Sequence, residues 1–190
     1  MPPGGELLVH ETLLVNNRST IKGSLKAEEV RGEGDLLVEG DLESSDIRLD
    51  DGTSLEVKGD LKADDVDVPN SIRVGKRTEV NYLRVGEDLT TLAGSKAGVI
   101  DITRRARVRG PIIGTTVRIR EDAEVEDVYA EDFWTEGGCS LGNIYVKRAE
   151  VGRECSISGV LQYVEAIRLG RDVSLASPPV KVSTIPSPPI

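Results

Sequence analysis

Two cysteines, a single histidine and a run of arginines are the residues in this chain with the most reactive or recognition-competent side chains. Ser-His-Asp and Cys-His machinery needs an imidazole base, and the common histidine-ligated metal sites need several imidazoles. His10 stands alone near the N-terminus and reads as a surface residue. Cys139 and Cys155 lie 16 residues apart. Two readings stay open for them: stacked buried thiols, or a disulfide between neighbouring strands about 4.8 Å apart, which falls inside the usual Cα window.

The chain holds 33 acids, yet no pair of them is singled out by its surroundings. A glycosidase needs two carboxylates at a set separation, one with a shifted pKa. The acids here read as a solvated face. Gly32-Glu33-Gly34 is an isolated Gly-x-Gly, and neither GxxxxGK[ST] nor a dinucleotide fingerprint occurs. No catalytic residue, cofactor or metal site is expected.

Recognition offers more. Arg104, Arg105, Arg107, Arg109, Arg118 and Arg120 fall in a span without an acid. They suit either a ladder paired with acids such as Glu124 and Glu126, or a docking stripe for an acidic partner. Phe133 and Trp134, two of six aromatics, are expected in an irregular loop, as a contact site or packed on the flank.

These groups must be carried by strands. Leu, Ile and Val make up 53 of 190 residues, while aromatics are 3%. Branched aliphatics in that proportion exclude a disordered chain and fit strands. The net charge of −9 argues against a nucleic-acid partner. It is uneven, with 17 acids against 7 bases in residues 1–67. No apolar run is long enough to span a bilayer, and the N-terminus has no signal-peptide pattern, so a cytoplasmic protein is expected. Sparse Asn, Gln, Met and Cys beside 30% charged residues resemble a thermophile's usage.

The repeat decides the architecture. Ile21-Lys22-Gly23-Ser24-Leu25, Val38-Glu39-Gly40-Asp41-Leu42 and Val57-Lys58-Gly59-Asp60-Leu61 share one pattern, followed five residues on by Val30, Ile47 and Val66. Anchors continue at Val74, Leu92, Val108, Val125, Leu141, Ile157 and Val173, at steps of 16 to 19. Two residues before each anchor from Ile21 to Ile157 stands an apolar or small residue, from Ser19 and Leu36 through Thr90 to Cys139 and Cys155. Two residues after stand mostly Gly, Asp or Asn, expected to bend through a left-handed backbone.

A rung of about 17 residues cannot bury its own apolar side chains, so it must stack on the next. The expected fold is an all-β single-stranded solenoid, a right-handed parallel β-helix of about ten rungs. Seven of nine prolines lie at the ends, which marks residues 1–6 and 177–190 as tails around a domain at 7–176. Residues 92–99 and 127–138 break the pattern and are expected to bulge outward.

The stretches IKGSLKAEEV, LLVEGDLESSDI and LEVKGDLKADDV resemble the bactofilins, polymer-forming cytoskeletal proteins. That resemblance implies a scaffold that polymerises end to end without nucleotide, with like ends joined. It also implies cytoskeletal or membrane-associated partners, with peripheral membrane attachment. The N-terminal MPPGGELLVH does not look like the short membrane-targeting peptide of some members, and no aromatic of the last rungs is matched to the family's polymer contact. The alternative is a β-helix binding module docking through the arginines or the Phe133-Trp134 segment.

Overall fold

The computed structural model describes residues 5–189. Apolar-polar alternation builds strands, and glycine, aspartate and proline cut them into two lengths. The long strands are β1 (Glu6–Leu14), β3 (Ser24–Gly32), β5 (Leu42–Leu49), β7 (Leu61–Val68), β9 (Thr78–Val85), β11 (Ser95–Ile102), β13 (Ile112–Ile119), β15 (Val128–Thr135), β17 (Ile144–Val151) and β19 (Leu161–Leu169). The short strands are β2 (Ser19–Ile21), β4 (Leu36–Val38), β6 (Ser54–Val57), β8 (Ser71–Val74), β10 (Asp88–Thr91), β12 (Arg107–Arg109), β14 (Glu124–Val125), β16 (Ser140–Leu141), β18 (Ser156–Ile157) and β20 (Ser174–Leu175). The series closes with β21 (Val180–Lys181), inside the segment read as a tail.

Long strands stack on long strands and short on short, giving sheets of 11 and 10 strands in strict alternate order. Every ladder is parallel, so the chain is a β-solenoid of about ten turns, as the periodicity predicts. No helix occurs among the described residues.

Each long strand turns a corner. In β3, Leu25 and Ala27 point inward, then Glu28 and Glu29 both face out, and Val30 is inward again. Ladder pairing skips one residue there, from Ala27↔Ser44 to Glu29↔Asp46. Two consecutive outward residues reverse the period-two facing, which wraps one strand around two sides of the core. That is why an inward Leu is followed by an inward Val five residues later rather than four.

The core is a set of continuous columns. Leu36, Leu55, Ile72 and Leu89 are at most 1% exposed, and each stacks on the next. Full burial of one such side chain contributes about 1.5–3 kcal/mol.

The stacking register corrects the sequence alignment at mid-rod. Val74 pairs with Thr91, not Leu92, and Leu92 is 80% exposed. Val108 pairs with Leu89, the partner of Ile72, so Val108, Val125, Leu141 and Ile157 continue the Leu36 column. Thr90, taken as inward, lies between the buried Leu89 and Thr91 and faces out. The slip is two residues, so every other anchor keeps its inward facing.

The glycine column has two causes. Gly94 and Gly110 adopt the expected positive φ, at 94° and 97°, whereas Gly23, Gly40 and Gly59 do not. At Gly40 and Gly59 there is instead no room for a side chain: a Cβ at Gly40 would lie 2.6 Å from the Ser24 nitrogen. Left-handed residues occupy another ladder, at Arg105, Asp122, Gly138, Glu154 and Asp172, with φ between 56° and 73°. These sit in the turn that precedes each short strand of the second half.

Candidate functional site

The arginines are not one stripe. Arg107 and Arg109 lie on the short-strand sheet, Arg105 in the turn before it, Arg118 on β13 and Arg120 just after. Most are paired along the rod. Arg107 meets Glu124 at 3.4 Å, Arg104 meets Glu121 at 3.4 Å, and Arg105 approaches Asp122 at 3.9 Å. Arg120 bridges Asp101 at 3.3 Å and Glu136 at 3.2 Å, and these hydrogen bonds raise its pKa. Glu126 instead accepts a hydrogen bond from the Gly110 N–H at 2.8 Å. Arg109 and Arg118 form no ion pair among the described residues.

Phe133 and Trp134 are not in a loop. Both lie in β15, and the expected bulges at 92–99 and 127–138 are largely the regular strands β11 and β15. Phe133 is 3% exposed because it replaces Val117 of the previous rung in an inward column. Trp134 faces outward, half-buried, with the Arg120 guanidinium 5.7 Å from its ring centre. Across the corner of the same strand, Tyr129 stacks on Tyr145 of the next rung with centroids 4.7 Å apart.

Cys139 and Cys155 are free, buried thiols in one column. Cys139 Sγ donates to the Arg120 carbonyl and Cys155 Sγ to the Glu136 carbonyl, each at 3.2 Å. A hydrogen bond to Cys155 and burial hold the Cys139 thiol far above its ordinary pKa. The same hydrogen bond draws its partner Cys155 the other way, down to about 6. Both residues are 1% exposed, so burial rather than protonation keeps reagents from the sulfurs.

His10 is exposed on β1. No group of acids, cysteines and histidine suited to a metal ion occurs among the described residues. Among the same residues, no helix is long and apolar enough to cross a membrane.

The two ends differ. The outer edge of β1 pairs with no strand among the described residues. Leu7, Leu8 and Leu14 on it are 40%, 51% and 65% exposed. Leu7 shares a column with Leu25 and Leu42, each 1% exposed, so its exposure comes from lacking a rung above it. At the other end β21 covers β19 at Gln162 and Tyr163, and Ile185 and Pro188 are half-buried. The outer edge of β20 remains unpaired among the described residues.

A groove of about 830 Å3 runs along the outside of the long-strand sheet in the N-terminal half. It follows the corners of the long strands, where Glu28, Ser45, Asp64 and Asn81 line it beside the inward column Ala27, Ser44, Ala63, Val80 and Ala97. One wall is Lys26, Glu43, Lys62, Glu79 and Lys96. The sign of that wall alternates in the sequence at intervals of 17 to 19, a signal that inspection for catalytic types passes over. Lys26 and Glu43 pair at 2.5 Å, and their hydrogen bond raises the lysine pKa and lowers the glutamate's.

No protein-family model matches this chain, and neither a curated protein nor a solved structure does.

Proposed function

We propose that this chain is a structural scaffold that assembles end to end into filaments without nucleotide, in the manner of the bactofilins it resembles. The observation that supports the reading is the open N-terminal rung. It offers nine residues of strand edge and three exposed leucines, Leu7 heading the inward Leu25 column and Leu8 and Leu14 the outward Lys26 and Arg31 columns. An edge of that length and composition is a template for another strand, and proteins that do not use such edges normally blunt them. Pro2 and Pro3 precede it and cannot donate to a ladder. Apolar rungs join without a charge requirement, and salt screens the acids of two N-terminal halves within about 8–10 Å.

Electron microscopy and light scattering of the purified protein test this, with one variant at each end. Successive residues of a strand direct their N–H groups to alternate sides. Val15 donates inward to Arg31, and Ser174 and Ala176 donate inward to Cys155 and Ile157. Leu14 and Leu175 therefore present their N–H groups to the free edges. Leu14→Pro and Leu175→Pro should leave the fold intact and shorten the filaments. A wild-type chain that stays monomeric across salt and concentration refutes the assembly and leaves the binding-module alternative.

A further inference from the structure

The charged wall of the groove is self-complementary, and from this we infer a lateral contact between two copies of the chain, packed side by side and antiparallel. Lys26, Glu43, Lys62, Glu79 and Lys96 are consecutive partners in one outward column. All five are exposed. Lys26 and Glu43 pair within the chain, whereas Lys62, Glu79 and Lys96 form no ion pair among the described residues. The column continues with Leu8 at the N-terminal side, and with Ile113 and Tyr129 beyond Lys96.

For a closed two-fold pair, the register follows from the signs. Two rods laid parallel and in step would set each charge against its own kind. A two-fold axis passing through any one rung has the same defect, since rungs two apart carry like charges. An axis midway between the Lys62 and Glu79 rungs sets Lys62 against Glu79 of the second copy and Glu43 against its Lys96. The same axis brings Ile113 over the aliphatic stem of Lys26, and the outer edge of Tyr129, itself 9% exposed, over the exposed Leu8. Shifting the axis by one rung towards the N-terminus preserves charge pairing but sets Leu8 against Lys96. Among the axes that pair Lys with Glu, only this one also sets an apolar residue of one copy against an apolar residue of the other, Tyr129 against Leu8, with Ile113 packed on the Lys26 stem.

Eight rungs at about 4.8 Å span roughly 34 Å, and a strip one face wide buries about 700 Å2 in total, below the usual size of a stable dimer. A single contact is weak. Repeated along end-joined rods it becomes multivalent and bundles filaments. In that form the inference deepens the assembly reading above, although the pair itself does not require end joining.

Sedimentation of chains carrying both Leu14→Pro and Leu175→Pro isolates the lateral pair, because both free edges are then blocked and failure of end joining is read separately from wild-type filament length. In that background Lys62→Glu opposes Glu79 with a glutamate, and Glu79→Lys opposes Lys62 with a lysine. Each variant alone should pair at least about tenfold more weakly than its parent, because every dimer then holds two like-charge contacts. An equimolar mixture of the two restores both contacts and should pair as the parent does, less strongly as salt rises. Within a single chain no such rescue by mixing exists. A parent that is monomeric at millimolar concentration and low salt overturns the contact. So does a mixture no better than its components, which is also the result expected of the shifted register.

Discussion

Gly59 lies so close to Gly40 of the preceding rung that a Cβ on Gly59 would come within 2.6 Å of the Gly40 carbonyl oxygen. The neighbouring atom is backbone and cannot swing aside. Gly59→Ala should therefore destabilise the protein by about 1–3 kcal/mol, as overpacking does. Gly52→Ala meets no atom within 4 Å and carries only the strain of φ +80°, so it should cost about 1 kcal/mol. Denaturant unfolding of the two variants checks the order.

Val57 is 1% exposed, and Lys58 beside it reaches Glu39 at 3.4 Å on the surface. Val57→Asp places an unpaired carboxylate in the core and should abolish cooperative folding, as such a group costs several kcal/mol. Lys58→Asp loses only an exposed pair and should cost about 1 kcal/mol or less. Circular dichroism on heating distinguishes them, and equal behaviour would contradict the facing of this strand.

Thr78 and Ser95 occupy inward positions where Leu61 and Ile112 stand in the flanking rungs. Both are at most 1% exposed, and neither hydroxyl has a hydrogen-bond partner among the described residues. Thr78→Val keeps the shape and removes the unsatisfied group. It should stabilise the chain by about 1 kcal/mol, measured by denaturant unfolding.

Glu154 is an exposed non-glycine residue with φ 56°. A left-handed backbone costs such a residue about 1–2 kcal/mol, which glycine avoids at a smaller entropic penalty. Glu154→Gly should raise the melting temperature slightly. Glu154→Val should lower it, since a β-branched side chain tolerates this region worst.

The Cys139 pKa is raised by its hydrogen bond to Cys155 and by burial. A folded-state pKa above the unfolded value favours the fold while the unfolded thiol is protonated. That stabilisation is whole below the thiol's ordinary value of 9.0 and is lost progressively as pH rises past it. Melting temperature should thus decline above about pH 9, and Cys139→Ser should flatten that decline. In the folded protein neither thiol should react with an alkylating reagent. Both should react in denaturant.

The period-two pattern placed Leu25, Val38, Val57, Val108 and Ile157 in the core, because facing is a property of one strand's own backbone. Spacings of 16 to 19 likewise required stacked turns, since one rung has nothing of its own to bury against. Which residue stacks on which was not legible at mid-rod. A slip of two residues leaves facing unchanged, so Leu92 and Thr91 are interchangeable by pattern, and only the path of the turn at Gly94 selects Thr91. The burial of Phe133 was hidden for a related reason: a ring fits an inward column only where the facing rungs are small, as Ala149 is above it. The arginines separated because alternate strands belong to different sheets, a division set by the corners rather than by proximity in the chain. The charged wall was written in the sequence all along. It became a surface only when the ladders brought residues 17 to 19 apart into adjacent rungs.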